Sequence, residues 1–266
     1  MRPIALLTDF GLVDPYVGQM RAVLTRLAPG AAQIDVSHQV EPFATGQAAF
    51  FLAASAPHFP TDTVFLCVVD PGVGSARRVL GASIAGQDFL APDSGLFGLL
   101  LGTPGLESAR LFDLSRTAAG YAASATFHGR DIFAPLAARL SAGEKLADLG
   151  SLLDPAELER QPWTAPRPDA AGVDAHVLHV DRFGNCVLSL REGFFFADEV
   201  TGLSLAPGER LPLRRARAYA ELGPGETGLL AGSQGFFELA ANQASAAALL
   251  TLRPGDPLRL LYPEAR

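Results

Sequence analysis

The chain opens with an apolar run, Ile4 to Leu7, that stops at Thr8 and Asp9, and the same figure recurs twice: "AQIDV" runs up to Ser37 and "TVFLCVV" up to Asp70. Short continuous apolar runs bounded by turn residues mark strands buried on both faces. Between them, Tyr16 to Leu27 sets Met20, Val23 and Leu24 in one stripe at helical spacing, and Thr45 to Ala56 reads as a second helix. Strand, polar corner, helix, strand is the rhythm of an α/β domain with a largely parallel central sheet. In such sheets ligands sit beyond the carboxyl ends of the strands. Asp9, Asp70 and the corner at His128 are therefore expected along one edge.

Past Asp154 the pattern changes. Residues 156–172 are rich in proline and poor in apolar periodicity, which predicts a linker. After it come short β-like pieces, "DAHVLHV", "CVLSL", "TGLSL", "GLLAG" and "PLRLLY", separated by Gly, Pro, Asn and Asp. The predicted organisation is an α/β domain over 1–155, the linker, and a small all-β antiparallel barrel domain over 173–266. The stretch "LAGSQGFFELAANQASAA", of mixed polarity, reads by itself as a loop.

Composition narrows the function classes. With 48% hydrophobic and 18% charged residues, the 266-residue chain can bury a sizeable core. A net charge of -7 leaves no basic surplus for nucleic acid or an anionic membrane and favours a small cationic ligand. Cys67 and Cys186 both lie in apolar segments, so they read as core residues in a reducing compartment. The apolar start is too short for a membrane span and meets Asp9 at once, so the expected location is cytoplasmic.

Four polar stretches carry candidate chemistry. In "LLTDFGLVDPYVGQM", Asp9 could cap the next helix or accept from the two hydroxyls of a ribose. In "VVDPGVGSARR", Asp70 precedes a Gly-rich turn that lacks the Gly-Lys-Ser/Thr of a phosphate loop. Arg77 could fold back across that turn to Asp70, either at a ligand or as a surface ion pair. In "SATFHGRDIFAPLAARL", His128 stands beside Arg130 and Asp131, and Asp131 is expected to cap a helix beginning at Ile132. These spacings match no zinc or calcium motif, so no metal is expected. His38, His58, His176 and His179 read as surface or strand-end residues. In "HVDRFGNCVLSL", Asp181, Phe183 and Asn185 share one turn, which either is only a turn or offers adenine a stacking face and an amide.

Taken in order over nearly the whole chain, "LLTDFGLVDPYVG", "VVDPGVGSARR", "LAPDSGL", "TFHGRDIFAPLAA", "DRFGN" and "GSQGFFELAAN" resemble the adenosine-forming S-adenosyl-L-methionine hydrolases, relatives of the fluorinase and chlorinase. The resemblance implies a homotrimer with active sites between subunits and a small-molecule substrate, S-adenosyl-L-methionine itself, with no cofactor. It makes Asp9 the ribose ligand, Phe43 part of the sugar and adenine pocket, and Asp70, Arg77 and His128 the polar triad beside the reacting carbon. A neighbouring subunit would bring Phe183 and Asn185 to the adenine, and Asp181, Ser233 and Glu238 to the methionine end. Backbone around Gln243 would meet the adenine edge.

Where this chain has Asp70 and His128 the fluorinase has tyrosines, and where it has Gly129 the fluorinase has a serine. The resemblance therefore implies water as nucleophile, with Gly129 leaving space for it. Two departures stand out. Gln234 occupies the place of an arginine that holds the methionine carboxylate in the halogenating relatives, and Ser94 makes Asp93-Ser94-Gly95 a turn variant. A chlorinase-like halogenase and a non-enzymatic sensor of S-adenosyl-L-methionine are the alternatives. A methyltransferase is disfavoured, because no G-x-G-x-x-G loop opens the first βα unit.

Overall fold

The computed structural model describes residues 1–101, 109–164, 166–191, 195 and 197–263, in two compact units, Met1–Gln161 and Pro162–Arg266. In the first unit the strands are β1 (Ile4–Thr8), β2 (Gln33–Ser37), β3 (Val64–Val68), β4 (Val79–Ile84), β5 (Gln87–Pro92), β6 (Arg110–Asp113) and β7 (Ser151–Leu153). The helices are α1 (Tyr16–Leu27), α2 (Thr45–Ser55), α3 (Gly98–Leu101), α4 (Ser115–Ala118), α5 (Ala134–Ser141) and α6 (Leu146–Leu149). A single π-helical turn, Gly129–Phe133, leads into α5.

The strands form one seven-stranded sheet in the order β2-β1-β3-β5-β4-β6-β7. Its core explains the unbroken apolar runs. Ile4 and Leu6 of β1 and Leu66 and Val68 of β3 face a layer built with Met20 and Leu24 of α1 and Leu136 of α5. The alternate residues Ala5, Leu7, Phe65 and Cys67 face a second layer with Ala48 and Leu52 of α2. Strands covered on both faces need apolar residues at every position.

The sheet is mixed rather than largely parallel. The pairings β1–β2, β1–β3 and β3–β5 are parallel, whereas β4–β5, β4–β6 and β6–β7 are antiparallel. The reversal begins at a two-residue turn, where Ala85 and Gly86 have φ of 50° and 87°. Two successive left-handed residues match the twist of a tight hairpin and return the chain antiparallel.

The second unit carries β8 (Arg167–Asp169), β9 (Gly172–Val180), β10 (Cys186–Leu188), β11 (Gly202–Ser204), β12 (Leu211–Pro212), β13 (Arg214–Arg215), β14 (Thr227–Ala231), β15 (Phe237–Ala241) and β16 (Pro257–Leu261), with one short helix, α7 (Ala246–Leu250). These strands form one curled sheet, antiparallel except for β13–β14, around a core that includes Val173, Val177, Leu188, Leu229, Phe237 and Leu239. The stretch expected to be a loop contains β15, which pairs with β10 and β14 and is buried along its whole length. A central strand needs no apolar-polar alternation, and Glu238 within it is itself buried, so the usual strand signal is missing.

Candidate active site

Because β1, β3 and β5 run parallel, their carboxyl ends reach the same edge of the sheet, and Asp9, Asp70 and Asp93 follow those ends within two residues. The corner before α5 meets this edge through an aromatic cluster. Phe10, next to Asp9, lies 5.8 Å from Tyr16 and 5.8 Å from Phe127, the residue before His128. Two distant corners are thereby fastened together by apolar contact rather than by charge.

Arg77 is the hub. Its Nε donates to Asp70 Oδ1 at 2.8 Å and to Oδ2 at 3.0 Å, and its Nη2 also grips Oδ2. The same Nη2 donates to His128 Nδ1 at 2.9 Å. The pair is not the surface ion pair that the sequence left open: the Arg77 and Asp70 side chains are 9% and 6% exposed. Phe133 packs beneath the guanidinium, 5.5 Å from ring centre to Arg77 Cζ. Desolvation lowers the His128 pKa from its ordinary value; the Arg77 charge also lowers it, while Asp70 and Asp131 oppose. A guanidinium has no lone pair to offer, so Nδ1 must be the acceptor. His128 is therefore held as the neutral ring with its proton on Nε2.

Asp9 does not cap α1, whose first residue follows Pro15 with no side-chain cap. Its Oδ2 accepts instead from the Phe43 backbone N–H at 3.0 Å. Burial raises the Asp9 pKa, the Phe43 hydrogen bond opposes, and the nearby Asp70 charge adds to the rise. Phe43 adopts φ 66° and leaves its ring 70% exposed. Gly129 is buried, and a side chain there would come within 3.2 Å of Met20 Sδ and 3.3 Å of Phe10.

One expectation about this edge fails. Asp131 caps no helix; its Oδ2 accepts from the Ser124 N–H at 2.9 Å and both its oxygens bind Arg130. It lies inside the π-helical turn, past the cap position. His38 directly follows the last residue of β2, the strand-end place read for it, and there it is 4% exposed, linking Thr8 Oγ1 at 2.8 Å to Asp35 Oδ1 at 3.0 Å. Thr8 lies 30 residues away in sequence, and that separation hid the relay. Ser94 is buried in the Asp93 turn, where Asp93 holds Arg78 and the Glu159 N–H.

The second unit contributes a separate set. Asp181 Oδ1 accepts from the N–H groups of Phe183 and Asn185 at 2.9 and 2.8 Å, and Oδ2 accepts from Asn185 Nδ2 at 2.9 Å. This carboxylate builds the turn that leaves the Phe183 ring 80% exposed and fixes the Asn185 amide. Gly184 makes the turn possible with φ 87° and close packing against Ser245. Ser233 and Gln234 are exposed in the β14–β15 turn, and Gln243 is exposed with φ 56°. Glu238 is 8% exposed, and its Oε1 accepts from Tyr219 Oη at 2.5 Å. Burial raises its pKa, Tyr219 opposes, and Asp181 adds to the rise. Sequence reasoning missed Tyr219, which carries no motif.

Away from these groups, a cleft of about 340 Å³ lined by Arg2, Asp88, Arg110 and Lys145 lies at the opposite strand ends of the first unit. Among the described residues no three His, Cys, Asp or Glu side chains gather as a metal site, and no helix is long and apolar enough to cross a membrane.

Comparisons place these features among known proteins. The SAM hydroxide adenosyltransferase N-terminal domain model matches residues 4–150, and the C-terminal domain model matches 175–259. The chain is 40% identical over 257 residues to the (R)-S-adenosyl-L-methionine hydrolase of Salinispora tropica, covering 97% of each protein. It is 26% identical over 294 residues to the fluorinase of Actinopolyspora mzabensis, again covering 97% of each. A conserved uncharacterized protein from Thermotoga maritima has a solved structure that superposes with a TM-score of 0.82 at 33% identity, covering 97% of this chain and 99% of that one.

Proposed function

The chain belongs to the SAM hydroxide adenosyltransferase family, and we propose that it hydrolyses S-adenosyl-L-methionine to adenosine and L-methionine. The observation that carries this reading is the Asp70–Arg77–His128 constellation, a carboxylate and a neutral imidazole held by one guanidinium. The name of the Salinispora tropica relative specifies the (R) epimer at sulfur, and that epimer is the proposed substrate.

The reaction asks little of its catalyst. Water attacks the 5'-carbon, the carbon–sulfur bond breaks, and its electron pair neutralises the sulfonium. The thioether leaves uncharged, so no acid is needed on that side. What remains is to hold water in line and take its proton, worth several kcal/mol for positioning and roughly 10²- to 10⁴-fold for a base. Since His128 Nδ1 already accepts from Arg77, its Nε2–H is a donor that orients the water oxygen. Asp70 is then the proton acceptor, releasing the proton to solvent after adenosine forms. Arg77 fixes both.

Asp9 offers two oxygens to the ribose diol, with Phe43 against the sugar and adenine and Gly129 leaving room at the reacting carbon. From the second unit of a neighbouring protomer, Phe183 and Asn185 take the adenine, the Gln243 backbone its edge, and Ser233, Glu238 and Asp181 the methionine end. Asp181 contributes mainly by building the turn, because three protein donors already occupy it. This implies a homotrimer of cytoplasmic enzyme that needs no cofactor, its second unit closing as a barrel.

The test is incubation with each sulfonium epimer in oxygen-18 water, with and without chloride, read by mass spectrometry. Labelled adenosine with unlabelled methionine, unchanged by chloride, is expected. A 5'-chloro product would make it a halogenase, and binding without turnover would make it a sensor.

A further inference from the structure

Arg191 is the one arginine of the second unit with a buried, unpartnered nitrogen among the described residues: its Nη2 is shut from solvent and has no hydrogen-bond partner. Arg214 and Arg259 show the usual alternative, paired with Glu226 and with Asp169 and Asp174. A guanidinium taken from water without a carboxylate is costly, and burial brings the Arg191 pKa down to about 10. Its apolar face rests on Phe236, with Cζ 4.1 Å from the ring centre.

The register places Arg191 on the same sheet face as Glu238. Leu190 accepts from the Phe237 N–H, and both of those side chains enter the core of the second unit. Their neighbours Arg191 and Phe236 therefore project from the other face. Glu238 lies two residues beyond Phe236 and pairs across the sheet with Val187 and Leu230. Leu230 belongs to the small cluster with Ala216, Leu222 and Ala240 and not to the main core, so Glu238 also projects from that other face. Two residues along a strand span roughly 6.6 Å. Among the described residues, then, Arg191 has no carboxylate partner and Glu238 no cation partner, and both project from the face that carries Phe236.

Glu238 is already prepared as an acceptor. Tyr219 takes Oε1, while Oε2 lies where a side chain at Gly232 would come within 2.9 Å. Gln234 in the same turn supplies no charge.

We propose that Arg191 and Glu238 form a clamp for a zwitterionic amino acid, Arg191 receiving the carboxylate and Glu238 the ammonium of the substrate's methionine moiety. The proposal rests on the hydrolase reading above and deepens it. It assigns the carboxylate, which Gln234 cannot hold by charge, to a residue 43 positions earlier in the chain and one strand away. The bidentate fork of a guanidinium suits that anion.

The experiment compares S-adenosyl-L-methionine with its decarboxylated analogue, which keeps the ammonium and the sulfonium. The wild-type protein should prefer the carboxylated compound by roughly 30-fold or more in kcat/KM, the scale of losing one partner of a buried charge pair. Arg191→Met should erase that preference while handling the analogue nearly as the wild type does. Arg191→Gln, which keeps polarity without charge, should do the same and covers the case in which the methionine variant fails to fold. A wild-type protein indifferent to the carboxylate overturns the clamp without any variant. So does an Arg191→Gln protein that retains the preference, or one that loses both compounds equally. If the wild type turns over neither compound, the hydrolase reading falls, and the clamp is judged on calorimetric binding of the same pair.

Discussion

Arg77 Nη2 donates to His128 Nδ1 across 2.9 Å while the same guanidinium holds Asp70, so one arginine sets the tautomer of the histidine and the orientation of the carboxylate. Protonation of Nδ1 would face a donor with a donor and break that link.

The first prediction is a pH dependence. Burial and then Arg77 lower the His128 pKa below its ordinary 6.5. A depressed folded-state value means that proton uptake favours the unfolded chain, so any stability His128 confers is present above 6.5 and lost as pH falls through the lower folded value. Activity should follow: kcat/KM level above that range, falling on the acid side. The pH profile of His128→Asn should lack this limb. An acid limb that persists unchanged in the variant would assign it to a carboxylate.

Asp70→Asn leaves the Arg77 guanidinium without its charge partner in a site where both side chains are under 10% exposed. Breaking a buried pair in this way costs about 3–5 kcal/mol. Urea unfolding should show a loss of that order, and turnover should fall by at least ~10²-fold.

Arg77→Lys keeps the charge but not the fork, and a single ammonium cannot reproduce the pattern to Asp70 and His128. Turnover should drop by roughly 10²-fold with a smaller change in KM. A lysine variant with wild-type turnover would reduce Arg77 to a source of charge.

Gly184→Ala puts a side chain against Ser245 in a residue with φ 87°. Strain of this kind costs about 1–3 kcal/mol. Because the same turn presents Phe183 and Asn185, KM should rise by roughly 10-fold with kcat less affected. Steady-state kinetics beside a thermal melt would separate a displaced turn from global loss of the fold.

Gly129→Ala introduces contacts of 3.2–3.4 Å with Met20 and Phe10 at an ordinary backbone conformation. The thioether can yield, so the variant should fold with a melting temperature lower by a few degrees, as expected of about 1 kcal/mol of overpacking. The activity of this variant measures how much room the reacting carbon needs.

The two sequence errors in the sheets share a cause. The β4–β5 hairpin depends on Ala85 and Gly86, and a single alanine at positive φ gives no pattern. β15 is a central strand with a buried glutamate, so neither alternation nor uniform apolarity announces it. His38 and Tyr219 escaped for a related reason: their partners, Thr8, Asp35 and Glu238, are distant in sequence or lie in unremarkable segments.

By itself, the sequence determined which strands are buried on both faces, that polar residues wait at their carboxyl ends, and that Asp70, Arg77 and His128 are the residues to compare. These follow from local rules, since the periodicity of burial and the chemistry of a strand-end corner are written within a dozen residues. Only the tertiary structure decided that Arg77 serves both partners, that His128 carries its proton on Nε2, that Asp181 is spent on its own turn and that Arg191 shares a sheet face with Glu238. Each of these depends on the distance between atoms far apart along the chain, and on which face of a strand meets water. Hydrogen-bond direction and desolvation are properties of that packing, not of residue type.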